Sequence, residues 1–193
     1  YGTGTYIVGN EEIAIIDPGP QIETHVNGLL KLIKDCNKVH LFVTHTHLDH
    51  SPASKIIRER KNCITYGFGP YSRKKFNTDF EEGHDLTFNP DITLKDGDII
   101  KGINWTIRAI HTPGHTSNHM CYGLEENSIL FTGDHVMGWA TTVIVPPDGN
   151  MTSYMESLKK ILLYDYKVFY PTHGGPIKKP KKYVKALIAH RLM

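Results

Sequence analysis

Cysteine is scarce in this chain: Cys36, Cys63 and Cys121 are far apart, odd in number and outside any Cys-x-x-Cys spacing. That excludes a disulfide framework and predicts free thiols, mostly core residues, in a reducing cytoplasmic compartment. No apolar run approaches the roughly 20 residues of a membrane span, and Tyr1-Gly2-Thr3 is no signal-peptide start, so no membrane partner is expected. Net charge is nearly absent. A formal +2 demands neither nucleic acid nor an acidic membrane as partner. Internal repeats, low-complexity segments and linkers are also missing, so residues 1–193 are expected to form a single domain, large enough for a two-layer core without disulfides.

What is present is ordered. Tyr6 to Val8 and Ile13 to Ile16 are β-rich runs around Gly9-Asn10, a hairpin signal, and Asp17-Pro18-Gly19 supplies the turn after them. Val26, Leu29, Leu30 and Ile33 recur at helical spacing, and Val39 to Val43 is a buried-strand run. Ser54 to Arg60 is expected to be a helix after Pro52, and Cys63 to Tyr66 a strand, whereas Gly67 to Asp91 resists assignment and is expected to be a surface excursion. Trp105 to Ile110, Met120 to Leu124 and Ser128 to Thr132 predict a second sheet. Ser153 and Glu156 form a capping-box pattern that opens a helix with Met155, Leu158, Ile161 and Leu162 on its apolar face, and Val168 to Tyr170 is a last strand.

The chemistry sits where the strand runs stop. Directly after Val39 to Val43 the chain reads Thr44-His45-Thr46-His47-Leu48-Asp49-His50-Ser51, which puts several imidazoles and a carboxylate within one short loop. Imidazole suits zinc and iron, and an added carboxylate makes the set harder and more hydrolytic, the pattern of a two-metal site. His115, Asp134 and His173 also stand where a strand run gives way to a turn. A strand fixes its backbone to the last residue while a following glycine lets the loop fold tightly, so ligands there are aimed from one rim.

This ordered set resembles the metallo-β-lactamase superfamily along nearly the whole chain. Gly133-Asp134-His135-Val136-Met137-Gly138-Trp139, Pro146-Pro147-Asp148-Gly149 and Tyr154-Met155-x-Ser157-Leu158 look most like its lactamase-β-like-2 subgroup. The resemblance implies an α/β fold, the four-layer αββα sandwich, with two divalent metal ions, zinc by default. It further implies that His45, His47 and His115 hold one ion, Asp49, His50 and His173 the other, and that Asp134 bridges them. Two such ions supply a bridging hydroxide near neutral pH and polarise the scissile bond; Asp49 then acts as the catalytic residue that orients the hydroxide and carries its proton. The same resemblance implies that the chain stops short at both ends, lacking a first strand and a small helical domain beyond Ala189-His190-Arg191.

Other residues carry a plainer reading beside the functional one. His111 and His119 are expected either to bond ligands from behind or simply to be buried, and His135, pointing away from Asp134 on an extended chain, is not expected to ligate. His25, His40, His84 and His190 have no motif. Trp139 could stack on a flat group or pack under its loop. Lys178, Lys179, Lys181, Lys182 and Lys185, with Arg73, Lys74 and Lys75, could form a positive rim, although a solvated helix face explains the first group equally well. No cysteine stands near the ligands, which argues against a β-lactamase whose second metal uses a thiolate. The leading expectation is a hydrolase of a thioester, lactone or related ester bond in a small-molecule substrate. A metal-dependent endoribonuclease and a non-catalytic metal-binding protein are the alternatives, and the intact ligand set speaks against the latter.

Overall fold

The computed structural model describes residues 2–71 and 83–193, so the Arg73, Lys74 and Lys75 group lies outside the described residues. Strands β1 (Tyr6–Gly9) and β2 (Glu12–Ile16) make the hairpin, with Tyr6 opposite Ile16. After helix α1 (Glu23–Leu32), strand β3 (Lys38–Phe42) adds parallel to β2; helix α2 (Ala53–Arg60) leads to β4 (Cys63–Gly67), and β5 (Ile92–Thr93) closes this sheet in the order β1-β2-β3-β4-β5. The second sheet is β10-β9-β8-β7-β6, built from β6 (Ile99–Gly102), β7 (Trp105–His111), β8 (Met120–Leu124), β9 (Ile129–Gly133) and β10 (Val168–Pro171). Helix α3 (Met151–Ile161) precedes β10 and helix α4 (Pro180–Arg191) follows it.

The period-two alternation of strands assigns the layers. In β2, Ala14 and Ile16 point into a core shared with Phe42, Trp105, Ile107, Tyr122 and Phe131, which is the contact between the sheets. Ile13 and Ile15 point the other way, onto Val26, Leu29 and Ile33 around α1 and Ala53 and Ile57 of α2. On the far side Ile110, Cys121 and Leu130 pack against Tyr154 and Leu158 of α3 and Val184 and Leu187 of α4. Strands buried on both faces read as continuous apolar runs, which is why β3 was legible as a buried strand, whereas the shorter β2 showed itself only as a β-rich arm of the hairpin. The result is the expected α, β, β, α layering.

Some local expectations need correction, and one strand had no expectation at all. Helix α3 begins at Met151, and its cap is Asn150, whose side chain accepts from Ser153 N at 2.9 Å; Ser153 is the third helical residue. Asparagine caps as well as serine does, so the capping box was displaced by a better-placed neighbour. Strand β6 has exposed or half-exposed Ile99 and Ile100 and pairs along one side only, with β7, an edge strand with little burial to announce it. The stretch after β4 does not stay at the surface: Asp85 is buried and His84 forms a β-bridge with His47. Of the cysteines, all free, only Cys121 is fully buried.

Candidate metal centre

The parallel strands β2 and β3 end side by side, and the first polar residue after β2 ties the rim together. Asp17, 1% exposed, accepts from Thr44 N and Thr44 Oγ1, both at 2.8 Å, from His50 Nδ1 at 2.9 Å and from Thr172 Oγ1 at 3.1 Å. One carboxylate thereby joins the ends of β2, β3 and β10. Its φ of 51° lies in the left-handed region that aspartate tolerates better than most residues. The sequence showed Asp17 only as a turn residue, since nothing local reports which distant groups it would meet.

These bonds also set the imidazole tautomers. Because the Thr44 hydroxyl donates to Asp17, it accepts from His45 Nδ1 at 3.0 Å, which leaves the His45 Nε2 lone pair facing the rim. His50 Nδ1 donates to Asp17, and His115 Nδ1 donates to Val143 O at 2.7 Å, so Nε2 is the free atom on both. His47 presents Nδ1 instead, 3.0 Å from His45 Nε2 and 3.1 Å from His115 Nε2. A tautomer fixed from behind is the usual arrangement for a metal-binding imidazole.

Among the described residues three overlapping groups could hold a cation: His45, His47 and His115; His45, His50 and Asp134; and Asp49, His50 and His173. Zinc held tetrahedrally at about 2.0–2.1 Å keeps its ligand atoms about 3.3 Å apart. Besides the 3.0 and 3.1 Å edges already given, His50 Nε2 lies 3.4 Å from Asp49 Oδ2, and His173 Nε2 lies 3.3 Å from the same oxygen. Asp134 stands between the groups, with Oδ1 3.5 Å from His50 Nε2 and Oδ2 3.4 Å from His173 Nε2 and 3.8 Å from His115 Nε2. His50 Nε2, Asp49 Oδ1 and Asp134 Oδ1 are buried without a hydrogen-bond partner. Buried polar atoms are rarely left so, and a donor set of imidazoles and carboxylates at these spacings fits divalent cations. All seven residues singled out from sequence are thus brought together.

Charge divides the set. Burial, reinforced by neighbouring imidazoles, pushes His45 well below the ordinary imidazole range and His47 down to about 2. Burial also works against a charge on His50, but the carboxylates of Asp134 and Asp17 outweigh it and hold its pKa well above the usual value. Hydrogen bonds to Asp134 and Asp49 raise His173 to about 10. Asp134 and Asp49 are themselves pulled below the carboxylate range, where the same histidines, with Thr3 Oγ1 donating to Asp49 Oδ2 at 2.7 Å, overcome the cost of burial.

The remaining histidines take support roles or none. His119 Nε2 accepts from Asp134 N at 3.2 Å and its Nδ1 donates to Thr112 Oγ1 at 2.9 Å, so it holds the backbone of Asp134 from behind. The approach is close: a Cβ on Gly133, whose φ is +49°, would lie 2.7 Å from His119 Nε2. His135 is fully buried against Tyr154, belongs to none of the three groups, and is pushed down to about 3 by burial. His111 bonds Ser117 O and stacks on Phe68, and His40 joins Glu12 and Tyr66 far along the sheet. His84 was missed. Its ring lies 4.7 Å from that of His47 and stacks on Tyr71, contacts made by a β-bridge that no local motif announces.

A family model described as the metallo-beta-lactamase superfamily matches residues 1–173. An atrochrysone carboxyl ACP thioesterase of Cryptosporiopsis sp. is 31% identical over 90% of this chain and 49% of its own length. A lactamase-like protein of Aspergillus niger is 32% identical over 98% of this chain and 55% of its own. The chain therefore spans about half the length of these curated relatives. A solved metallo-beta-lactamase family protein of Thermus thermophilus superposes with a TM-score of 0.76 at 19% identity, covering 98% of this chain and 74% of that one, a likeness of fold. By the extent of that family match, the chain belongs to the metallo-beta-lactamase superfamily.

Proposed function

We propose that this chain carries a dinuclear metal hydrolase site acting on a thioester, with His45, His47 and His115 on one ion, Asp49, His50 and His173 on the other, and Asp134 shared. The observation that supports this most is the position of Asp134, whose two oxygens reach toward His50, His173 and His115 at once. Two divalent ions, zinc by preference, would supply hydroxide near neutrality and polarise the scissile carbonyl when bound. The chain's own groups do the rest. Asp17 and His119 hold the ligands in register, and ionised Asp49, steadied by Thr3, is placed to orient the attacking group and pass its proton to the leaving thiol.

The thioester bond is favoured over the phosphodiester for two reasons. Relatives at about a third identity are named as acyl carrier protein thioesterases. The lysines that follow His173 in sequence lie exposed along and just before α4, where a solvated face accounts for them, and Lys181 is engaged with Asp165 at 3.2 Å. The test is to offer zinc-loaded protein a thioester, a lactone and single-stranded RNA in parallel. Thioester turnover that a chelator abolishes and zinc restores is expected. RNA cleavage without thioester turnover would overturn the reading in favour of the nuclease.

A further inference from the structure

The chain between Asp134 and helix α3 is an irregular loop, yet it is bonded at many points. Thr142 Oγ1 donates to Asp134 O at 2.6 Å, Gly138 N donates to His173 O at 2.8 Å, and Val143 O receives the His115 Nδ1 proton. Helix α4 pins it from behind: Tyr183 OH donates to Met137 O at 2.9 Å, and the Arg191 guanidinium donates to Thr142 O. Gly138 and Gly174 also touch backbone to backbone. A Cβ on Gly138 would lie 2.5 Å from Gly175 O, and one on Gly174 would lie 2.8 Å from Gly138 Cα and 3.0 Å from Trp139 Cδ1. The indole therefore rests against the residue that follows His173.

This fixed loop presents apolar surface to solvent beside the metal ligands. Trp139 is 57% exposed and Val143 58% exposed, and Leu48, between His47 and Asp49, is 50% exposed. Isolated exposed apolar residues are ordinary, as Leu163 at 85% illustrates. Trp139 differs in two respects. Large aromatics are mostly buried, as Trp105 is at 1%, and the backbone holding Trp139 is locked on both sides, so an apolar group meeting it incurs little ordering cost. Two segments of chain bring these residues to the candidate ligands: Leu48 follows His47, while the loop after Asp134 carries Val143, whose carbonyl bonds His115, and Trp139, which rests against Gly174 next to His173.

We infer that Trp139, with Val143 and Leu48, forms the subsite for the acyl part of the substrate, and that this acyl group is flat and aromatic. Trp139 is its specificity-determining residue, while Tyr183 and Arg191 are positioning residues for the loop. The inference rests on the thioesterase reading for the bond that is cut, but not for the ring that is bound.

Fluorescence separates the two. The chain has two tryptophans, of which Trp105 is buried, so quenching by the neutral quencher acrylamide reports chiefly on Trp139. In the zinc-loaded protein, benzoate is expected to protect Trp139 from quenching, and acetate at equal concentration is not. Trp139→Ala is expected to raise KM for a benzoyl thioester about tenfold with a smaller effect on kcat, Trp139→Phe to recover most of that loss, and Leu163→Ala to change nothing. Benzoate protection without turnover of either a benzoyl or an acetyl thioester would overturn the thioesterase reading and support the subsite. Turnover of both thioesters with no benzoate protection, and with KM for both raised equally by Trp139→Ala, would overturn the subsite and leave the thioesterase.

Discussion

The two halves of the ligand rim share a wall but differ in chemistry. His45, His47 and His115 are imidazoles alone, and burial keeps His45 and His47 neutral. Asp49, His50 and His173 mix a carboxylate with imidazoles whose pKa values are raised by Asp134, Asp17 and Asp49. The lesson is that a cation entering the first half meets lone pairs ready to bind, whereas one entering the second displaces protons that the carboxylates hold there. Asp134 stands between them, with oxygens 3.5 Å from His50 Nε2, 3.4 Å from His173 Nε2 and 3.8 Å from His115 Nε2, and in the function proposed above it couples them.

Removing that coupling should have the largest effect. Asp134→Ala is expected to lower thioester turnover by about a thousandfold or more and to cost one ion per chain, while the adjacent His135→Ala keeps its metal. Elemental analysis of both variants checks this, and loss of metal from His135→Ala alone would refute the assignment of the loop. Next in size is Asp17→Asn. A group that orients a ligand from behind typically controls about 10–100-fold of metal affinity, and here the loss should fall on the half containing His50, read as a weakened second step in a zinc titration.

Acidity sharpens the contrast in the chelator-treated protein. His47 and His135 have folded pKa values of about 2 and about 3, below the unfolded value near 6.5, so between those limits the unfolded chain binds more protons and stability is lost as pH falls from about 6.5. His173 runs the other way. Raised to about 10, it stabilises fully below about 6.5 and its contribution is lost as pH rises toward 10. The thermal midpoint of the chelated protein should therefore peak near pH 6.5, and zinc should flatten the curve. A midpoint that first declines below about pH 4, where only carboxylates titrate, would contradict this.

The smallest effect is expected away from the rim. Replacing Lys178, Lys179, Lys181 and Lys182 with alanine should leave thioester turnover within about twofold, because exposed surface charges contribute little beyond a Debye length. Were they phosphate contacts, the salt dependence of RNA binding would flatten by roughly one log-log unit for each.

How legible all this was depends on whether a feature is local. The ligand loop from His45 to His50 and the strand ends bearing His115, Asp134 and His173 were readable, because ligand type and strand termination are both written in adjacent residues. The layers came from the family resemblance, because β2 and β3 are buried on both faces and their continuous apolar runs do not say which residue faces which layer. His119 was read as either a support for a ligand or simply buried, and the bond it accepts from Asp134 N decides for support. Asp17 and His84 were not readable beyond a turn residue and a histidine without a motif, since each meets a partner far along the chain, Thr172 and His47 respectively. The same holds for Tyr183 and Arg191, whose helix looked like a run of lysines until its other face was seen to grip the loop. Asn150 in place of Ser153 at the head of α3 is a subtler miss, a choice between two competent caps decided by where the loop delivers the chain.

The most direct test of the shared carboxylate is a zinc titration of chelator-treated protein, with bound metal and thioester turnover followed together. Two ions per chain are expected to bind cooperatively, with turnover rising only as the second is bound. A single ion per chain with full turnover would contradict a bridging Asp134.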